Sequence, residues 1–363
     1  MLSNNSSSIL WKMLLLFLKG KKFMKFRTKL LLRYFYVVFV FLIIFSGCGQ
    51  KTGNEVVVYV SEDQVFSEPV LRDFEKDTGI KVKAVYDTEE TKSTGAMNRL
   101  IAEKNNPQAD VYWANEPIRA IVLKQKGISA SYFSPNGKDI PSIFKDPGGY
   151  WTGFSARARV FVVSSEGEMP HSILAYANEK WQNRAVIANP LFGTTTSWIA
   201  ALFTVWGNEK AKDFMKKMKD NGVKISTSNG ESTTLVTNKE YEFSLVDSDD
   251  ATNAIRDGKP VRQIYPDQEE GGLGCLVLPN AVVLIKGGPH TGNGKRLIDY
   301  LLSPETERKL AFADCAQIPL HKGVETPTDV KKIENIKTME VDFEKVAEKL
   351  LEIQHYLKEW TGY

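Results

Sequence analysis

The strongest constraint in this chain is a repeated switch between two hydrophobic periods. A continuous apolar run at residues 56–60 (VVVYV) ends in a polar turn, and Val70, Leu71 and Phe74 then fall at helical spacing before Gly79. Residues 80–86 return to strand period, with Ile80, Val82, Ala84 and Tyr86 at every second position. An unbroken apolar run of strand length suits a strand buried on both faces, as in a parallel sheet crossed over by helices. The unit recurs, with a helix expected over 95–105, a strand over 109–113 and a helix over 117–126 closed by Gly127. Further strands are expected at 185–188, 243–246 and 281–285, and helices at 196–206, 210–221, 292–302, 304–316 and 341–359. This alternation specifies the α/β class with doubly wound sheets. The body after residue 47 is long enough for two lobes, each with its own core.

The amino terminus reads differently. Residues 1–47 hold eight basic residues and no acidic one, so removing them turns a formal charge of +3 into −5. A net-acidic body argues against nucleic-acid binding, which needs a positive field to neutralise phosphates. Basic residues 25–33 precede an apolar stretch at 34–45. That stretch falls short of the roughly 20 residues a membrane-spanning helix needs and has the order of an export signal. Residues 45–48 (FSGC) resemble the bacterial lipoprotein cleavage box, in which small residues precede a Cys that receives diacylglycerol. The expectation is a signal over 1–47, with a start at Met24 giving an ordinary length, lipidation at Cys48 and a polar tether over 48–55.

Two cysteines remain, Cys275 and Cys315. In an oxidising compartment they could form a disulfide, worth roughly 4 kcal/mol for a loop of about 40 residues. The alternative is two separately buried thiols. No HExxH, GxSxG or GxGxxG motif is present, and residues 288–296 lack the glycine spacing of a phosphate loop. The four histidines are scattered without metal-ligand spacing, and His321 is expected at the surface. Nothing in the sequence demands catalysis.

Residues 57–86, containing FEKDTGIKV, resemble the opening of the solute-binding proteins of bacterial ABC importers. The runs ADVYWANE (109–116), DSDDA (247–251), LPNA (278–281), LIDYLLSPE (297–305) and QIPL (317–320) extend the resemblance over the mature chain, toward the ferric-iron-binding and phosphonate-binding group. The resemblance implies a type II periplasmic-binding-protein fold, two α/β lobes joined by crossing strands and closing on solute at the cleft. Lobe 1 is expected from 56–157 plus 281–335 and lobe 2 from 158–280, with the 341–359 helix packing back on lobe 2. The strand crossings are placed near 156–164 and 280–285. Implied with it are a monomer, lipid-anchored on the outer face of the cytoplasmic membrane or in the periplasm, with ABC permease subunits as partners and no cofactor. Fe3+ would be the transported ligand rather than a resident group.

In such sheets ligands sit beyond the carboxyl ends of strands, which selects four segments. The first is the run Ser61, Glu62, Asp63 and Gln64 after the first strand, of which Ser61, Asp63 and Gln64 are the candidate ligands, with Asp63 near a position where iron-binding relatives place a His. The second offers Asn115 and Glu116, where those relatives have a Glu. The third offers Asp247, Asp249 and Asp250, the latter two standing where ferric binders carry adjacent tyrosines. Asp249 could equally be a helix cap. The fourth is Thr194, Thr195, Thr196 and Ser197 at a helix start, where amides, dipole and hydroxyls make an anion cradle, or where Thr194 or Thr195 simply caps the helix. Asp63, Glu116, Asp249 and Asp250 together would give a hard cation an oxygen-donor site. A phosphonate or sugar phosphate is the alternative solute, with its phosphoryl group on the threonines. Tyr112, Trp113, Phe66, Trp151 and Trp198 could wall the cleft or fill the core.

Overall fold

The computed structural model describes residues 53–87 and 94–362. The expected signal, Met24, Cys48 and most of the tether lie outside them. The chain begins with β1 (Glu55–Val60), α1 (Gln64–Thr78), β2 (Lys81–Tyr86), α2 (Thr94–Ala102), β3 (Val111–Ala114) and α3 (Pro117–Gln125). Gly79 ends α1 in the left-handed conformation, φ 69°, with its N–H on the Glu75 carbonyl, a position that penalises any Cβ. Next come β4 (Ser129–Ala130), β5 (Thr152–Ser164), β6 (Ala185–Ala188), α4 (Gly193–Trp206) and α5 (Asn208–Asp220). They are followed by β7 (Lys224–Ser226), α6 (Asn229–Thr237), β8 (Phe243–Asp247), α7 (Ser248–Arg256) and β9 (Val261–Ile264). The chain closes with β10 (Val277–Ile285), α8 (Thr291–Leu301), α9 (Pro304–Phe312), α10 (Phe343–Glu352) and α11 (Gln354–Thr361).

The strands form one mixed sheet in the order β2-β1-β3-β10-β5-β8-β6-β7, with β4 beside β10 and β9 beside β5. β1 is parallel to β2 and β3, and β6 is parallel to β7 and β8. β5 serves both halves: residues 152–158 pair with β10 and residues 159–163 pair with β8. All of its residues are buried. Midway, Ser155 takes a φ of 40°, and the β10 register slips between Pro279 and Asn280.

That irregular point is fixed by buried polar groups. Asn280 Nδ2 donates to the Ser155 carbonyl (2.6 Å) and to Gln317 Oε1 (2.8 Å), and the Ser155 N–H donates to Glu307 Oε1 (2.7 Å). A strained non-glycine conformation persists when its surroundings over-determine it in this way. His321 belongs to this network, which corrects its expected surface placement. It is buried, with Nδ1 2.8 Å from Glu307 Oε2 and Nε2 2.8 Å from the Asn136 carbonyl.

The single helix expected over 341–359 is two. The chain turns at Ile353 between α10 and α11, which lets the Trp360 indole N–H donate to the Met215 carbonyl of α5 (2.9 Å). α10 packs on α4 and also on α3, where Lys124 pairs with Glu344 (2.6 Å). It therefore touches elements from both halves of the sheet. Cys275 and Cys315 are free and separately buried, so the disulfide alternative gives way to two core thiols. Burial pushes the Cys275 thiol up to about 12, leaving it a small apolar side chain in effect. The aromatics Tyr112, Trp113, Trp151 and Trp198 likewise fill the core. None of the helices among the described residues is long and apolar enough to cross a membrane.

Candidate functional site

Two arginines organise the residues at the strand ends. Arg157 and Arg159 lie two positions apart on β5, so a strand's alternation places both side chains on one face. Arg159 is opposite Asp247 in the β5–β8 register. Its Nη1 donates to Asp247 Oδ1 (2.8 Å), Thr194 Oγ1 (2.9 Å) and Asn229 Oδ1 (3.3 Å), and its Nη2 to Thr195 Oγ1 (3.2 Å) and the Leu245 carbonyl (2.8 Å). Only 1% of this arginine is exposed. The Thr194 hydroxyl donates a hydrogen bond to Asp247 Oδ2 (2.8 Å), and Asn229 Nδ2 donates to the same oxygen (3.2 Å).

Arg157 reaches across the sheet's two halves. Its Nε donates to Asp249 Oδ2 (3.1 Å) at the start of α7, its Nη1 to the Asn115 carbonyl (3.2 Å) after β3, and its Nη2 to Glu62 Oε2 after β1. Segments following β1, β3 and β8 thus meet on one guanidinium, and segments following β6 and β7 meet the end of β8 on the other.

The helix starts divide into two kinds. Glu116 caps α3, accepting from Ile118 N (3.0 Å) and Arg119 N (3.2 Å), and also pairs with Arg119. α6, α9 and α10 carry side-chain caps at Ser228, Ser303 and Asp342. α1, α4 and α7, which open at the other three candidate segments, have no side-chain cap, as is also true of α5, α8 and α11. Phe192 takes the cap position of α4, so Thr194 and Thr195 are not its caps. Asp247 takes that of α7, with its carboxylate turned to Arg159 instead, so Asp249 is not the cap either. Uncapped first-turn amides carry the positive end of the helix dipole. Thr196 and Ser197, both buried, have hydroxyls without partners.

Carboxylate oxygens of Asp247, Asp249 and Asp250 lie within 4.8 Å of one another, the one acidic cluster of metal-ligating geometry among the described residues. Asp63 and Glu116 do not belong to it. The α3 amides and Arg119 engage Glu116. Burial pushes Asp249 up to about 6, opposed by Arg157 and reinforced by Asp247 and Glu62. Burial, then Asp249 and Asp247, push Asp250 well above the ordinary carboxyl value.

The remaining expected residues have local roles. Ser61 is buried, its hydroxyl donating to Asp87 Oδ2 (2.6 Å) and lying 2.9 Å from the Tyr112 hydroxyl. Gln64 is turned along α1 to Glu68 (2.9 Å). Asn115 meets Arg157 through its carbonyl. Glu62, Arg157, Arg159 and Asn229 were not among the expected site residues. The signal for the arginines is in the sequence: SARARVFVV sets two cations at strand period in an otherwise apolar run.

The raised Asp249 carboxyl gives a pH prediction. Between about pH 6 and 3.8 the folded protein holds a proton that the unfolded chain has released, so this group's penalty on stability is full above pH 6 and fades as pH falls. Asp249→Asn should therefore raise the melting temperature of ligand-free protein at pH 7.5 and do so less at pH 4.5. Equal shifts at both values would contradict the assignment.

Comparison with known proteins places this geometry. The sequence profile of the bacterial extracellular solute-binding proteins matches residues 70–338. Iron uptake protein A1 of Synechocystis is 27% identical over 315 residues, spanning 77% of this chain and 84% of that one. The apo ferric ion-binding protein A of Pasteurella haemolytica superposes with a TM-score of 0.75 at 23% identity, over 85% of this chain and 98% of its own. The periplasmic binding protein AfuA of Actinobacillus pleuropneumoniae, with exogenous fructose-6-phosphate bound, gives 0.72 at 22% identity over 84% and 98%. The architecture is the type II periplasmic-binding-protein fold. With the profile spanning most of its length, the chain belongs to the bacterial extracellular solute-binding protein family.

Proposed function

We propose that this protein is the lipid-anchored solute-binding component of a bacterial ABC importer, which captures ferric iron together with an anion by hinge closure. The carrying observation is the pairing of charges at the cleft. Three aspartate side chains with oxygens inside 4.8 Å lie beside two guanidiniums, threonine hydroxyls and an uncapped helix start. Asp249 and Asp250, half-buried carboxyls with raised proton affinity, are relieved by a cation, and hard oxygen donors suit a ferric ion. The names of Iron uptake protein A1 and of ferric ion-binding protein A point the same way.

In this reading the two lobes are 56–157 with 281–335, and 158–280, hinged where β5 and β10 pass between the sheet halves. The metal sits among Asp247, Asp249 and Asp250, and the anion sits at Thr194, Thr195, Thr196 and Ser197. Cys48 carries the lipid, and the loaded protein delivers its cargo to the permease as a monomer without catalysis. The test is thermal unfolding of the mature chain with ferric citrate or 2-aminoethylphosphonate, since a ligand at about 100 times its Kd adds ~2.7 kcal/mol of stability. Stabilisation by ferric citrate supports iron; no response to either ligand rejects this cleft as the solute site.

A second reading, a phosphonate or sugar phosphate as solute, is favoured by Arg159 lying beside Thr194 and Thr195 at the start of α4. The AfuA complex with fructose-6-phosphate is its counterpart among solved structures. Thr195→Val separates the readings. It should weaken a phosphoryl ligand by about ten-fold, the worth of one charge-assisted hydrogen bond. A cation held by the aspartates should lose far less, as isothermal titration of both ligands would read.

A further inference from the structure

We propose that Glu62 is a solute-binding residue, pairing with Asp249 across the cleft to hold the cationic part of the solute. Glu62 follows β1 and has 2% of its surface exposed. Its Oε2 accepts from Arg157 Nη2, while its Oε1 has no partner. Asp249 repeats the arrangement from the other half of the sheet: Oδ2 accepts from Arg157 Nε (3.1 Å), and Oδ1 has no partner. One guanidinium thus fixes both carboxylates by one oxygen each and leaves one acceptor on each unfilled. Buried polar atoms without partners are rare in folded proteins, and an ionised oxygen is the costliest kind.

Charge selects what fills them. Two guanidiniums, Arg157 and Arg159, face four carboxyl groups, Glu62, Asp247, Asp249 and Asp250, an excess of two negative charges once all four are ionised. Hydroxyls could satisfy the oxygens without answering that charge; a metal cation or an ammonium group does both. Arg157 itself engages only the other oxygen of each, Glu62 Oε2 and Asp249 Oδ2. Glu62 comes from the β2-β1-β3-β10 side and Asp249 from the β8 side, so a cation shared between them ties the two halves together. The proposal rests on the reading that this cleft holds the solute, and adds a ligand outside the aspartate trio.

Isothermal titration of the mature protein with ferric citrate and with 2-aminoethylphosphonate, in wild type, Glu62→Gln and Asp249→Asn, tests it. Glutamine keeps an acceptor for Arg157 and removes the charge. The expected result is a rise in Kd of about ten-fold or more in Glu62→Gln for whichever probe the wild type binds. Glu62→Asp, which keeps the charge one methylene short, should weaken binding too and serves if Glu62→Gln unfolds. Wild-type affinity in the Glu62 variants alongside loss in Asp249→Asn would overturn the role of Glu62 and leave the cleft reading intact. Wild-type protein that binds neither probe would overturn both.

Discussion

Replacing Arg159 with alanine is expected to destabilise the protein by about 3–5 kcal/mol, the usual effect of removing one partner from a buried ion pair. The change would leave Asp247 buried against Thr194 and Asn229 with its charge unanswered, and would strip partners from Thr195 and the Leu245 carbonyl. Arg159→Lys should recover little of the loss, since a single ammonium cannot fork to five acceptors in fixed directions. Urea unfolding midpoints would read both. An Arg159→Ala protein within about 1 kcal/mol of wild type would mean that Arg159 does not organise the site.

The sequence and the structure agree where local chemistry decides and part where long-range pairing does. The β1–α1–β2 unit is legible because each element ends on its own signal: an apolar run, helical spacing, then Gly79 at φ 69°. α6 was not legible, since NGESTTLVT has no apolar stripe and is held by its place beside β8. The aspartates and the Thr194 to Ser197 run could be named as candidates, because strand ends collect ligands in this class of sheet. Their partners could not. That Asp247 would spend its carboxylate on Arg159 rather than on capping α7 depends on the β5–β8 register, which no local pattern states. The partners of Glu116, by contrast, are local, the amides at the start of α3. The two arginines were visible as RAR within a buried strand, and two cations at strand period there are a usable sign of carboxylates opposite.

The second large effect is expected on binding. The double change Asp249→Asn and Asp250→Asn should cost about 3 kcal/mol or more in ferric citrate affinity, on the order of a hundred-fold in Kd. The same protein should be no less stable than wild type at neutral pH, because two carboxyls that burial holds above their ordinary value no longer have to ionise there. Loss of binding with retained or raised stability marks residues kept for the cargo rather than for the fold. Titration calorimetry and melting curves on one preparation would read both. Unchanged iron affinity in the double variant would remove the trio from the metal site.

The central claim is that a cation held by carboxylates and an anion held by hydroxyls and amides share one cleft. Diffraction from mature protein crystallised with ferric citrate, collected at the iron absorption edge, tests it most directly. The account predicts an anomalous peak bonded to oxygens of Asp249 and Asp250, with anion density beside Thr194, Thr195 and the start of α4. A cleft holding no iron, or iron bound outside the trio, would contradict it.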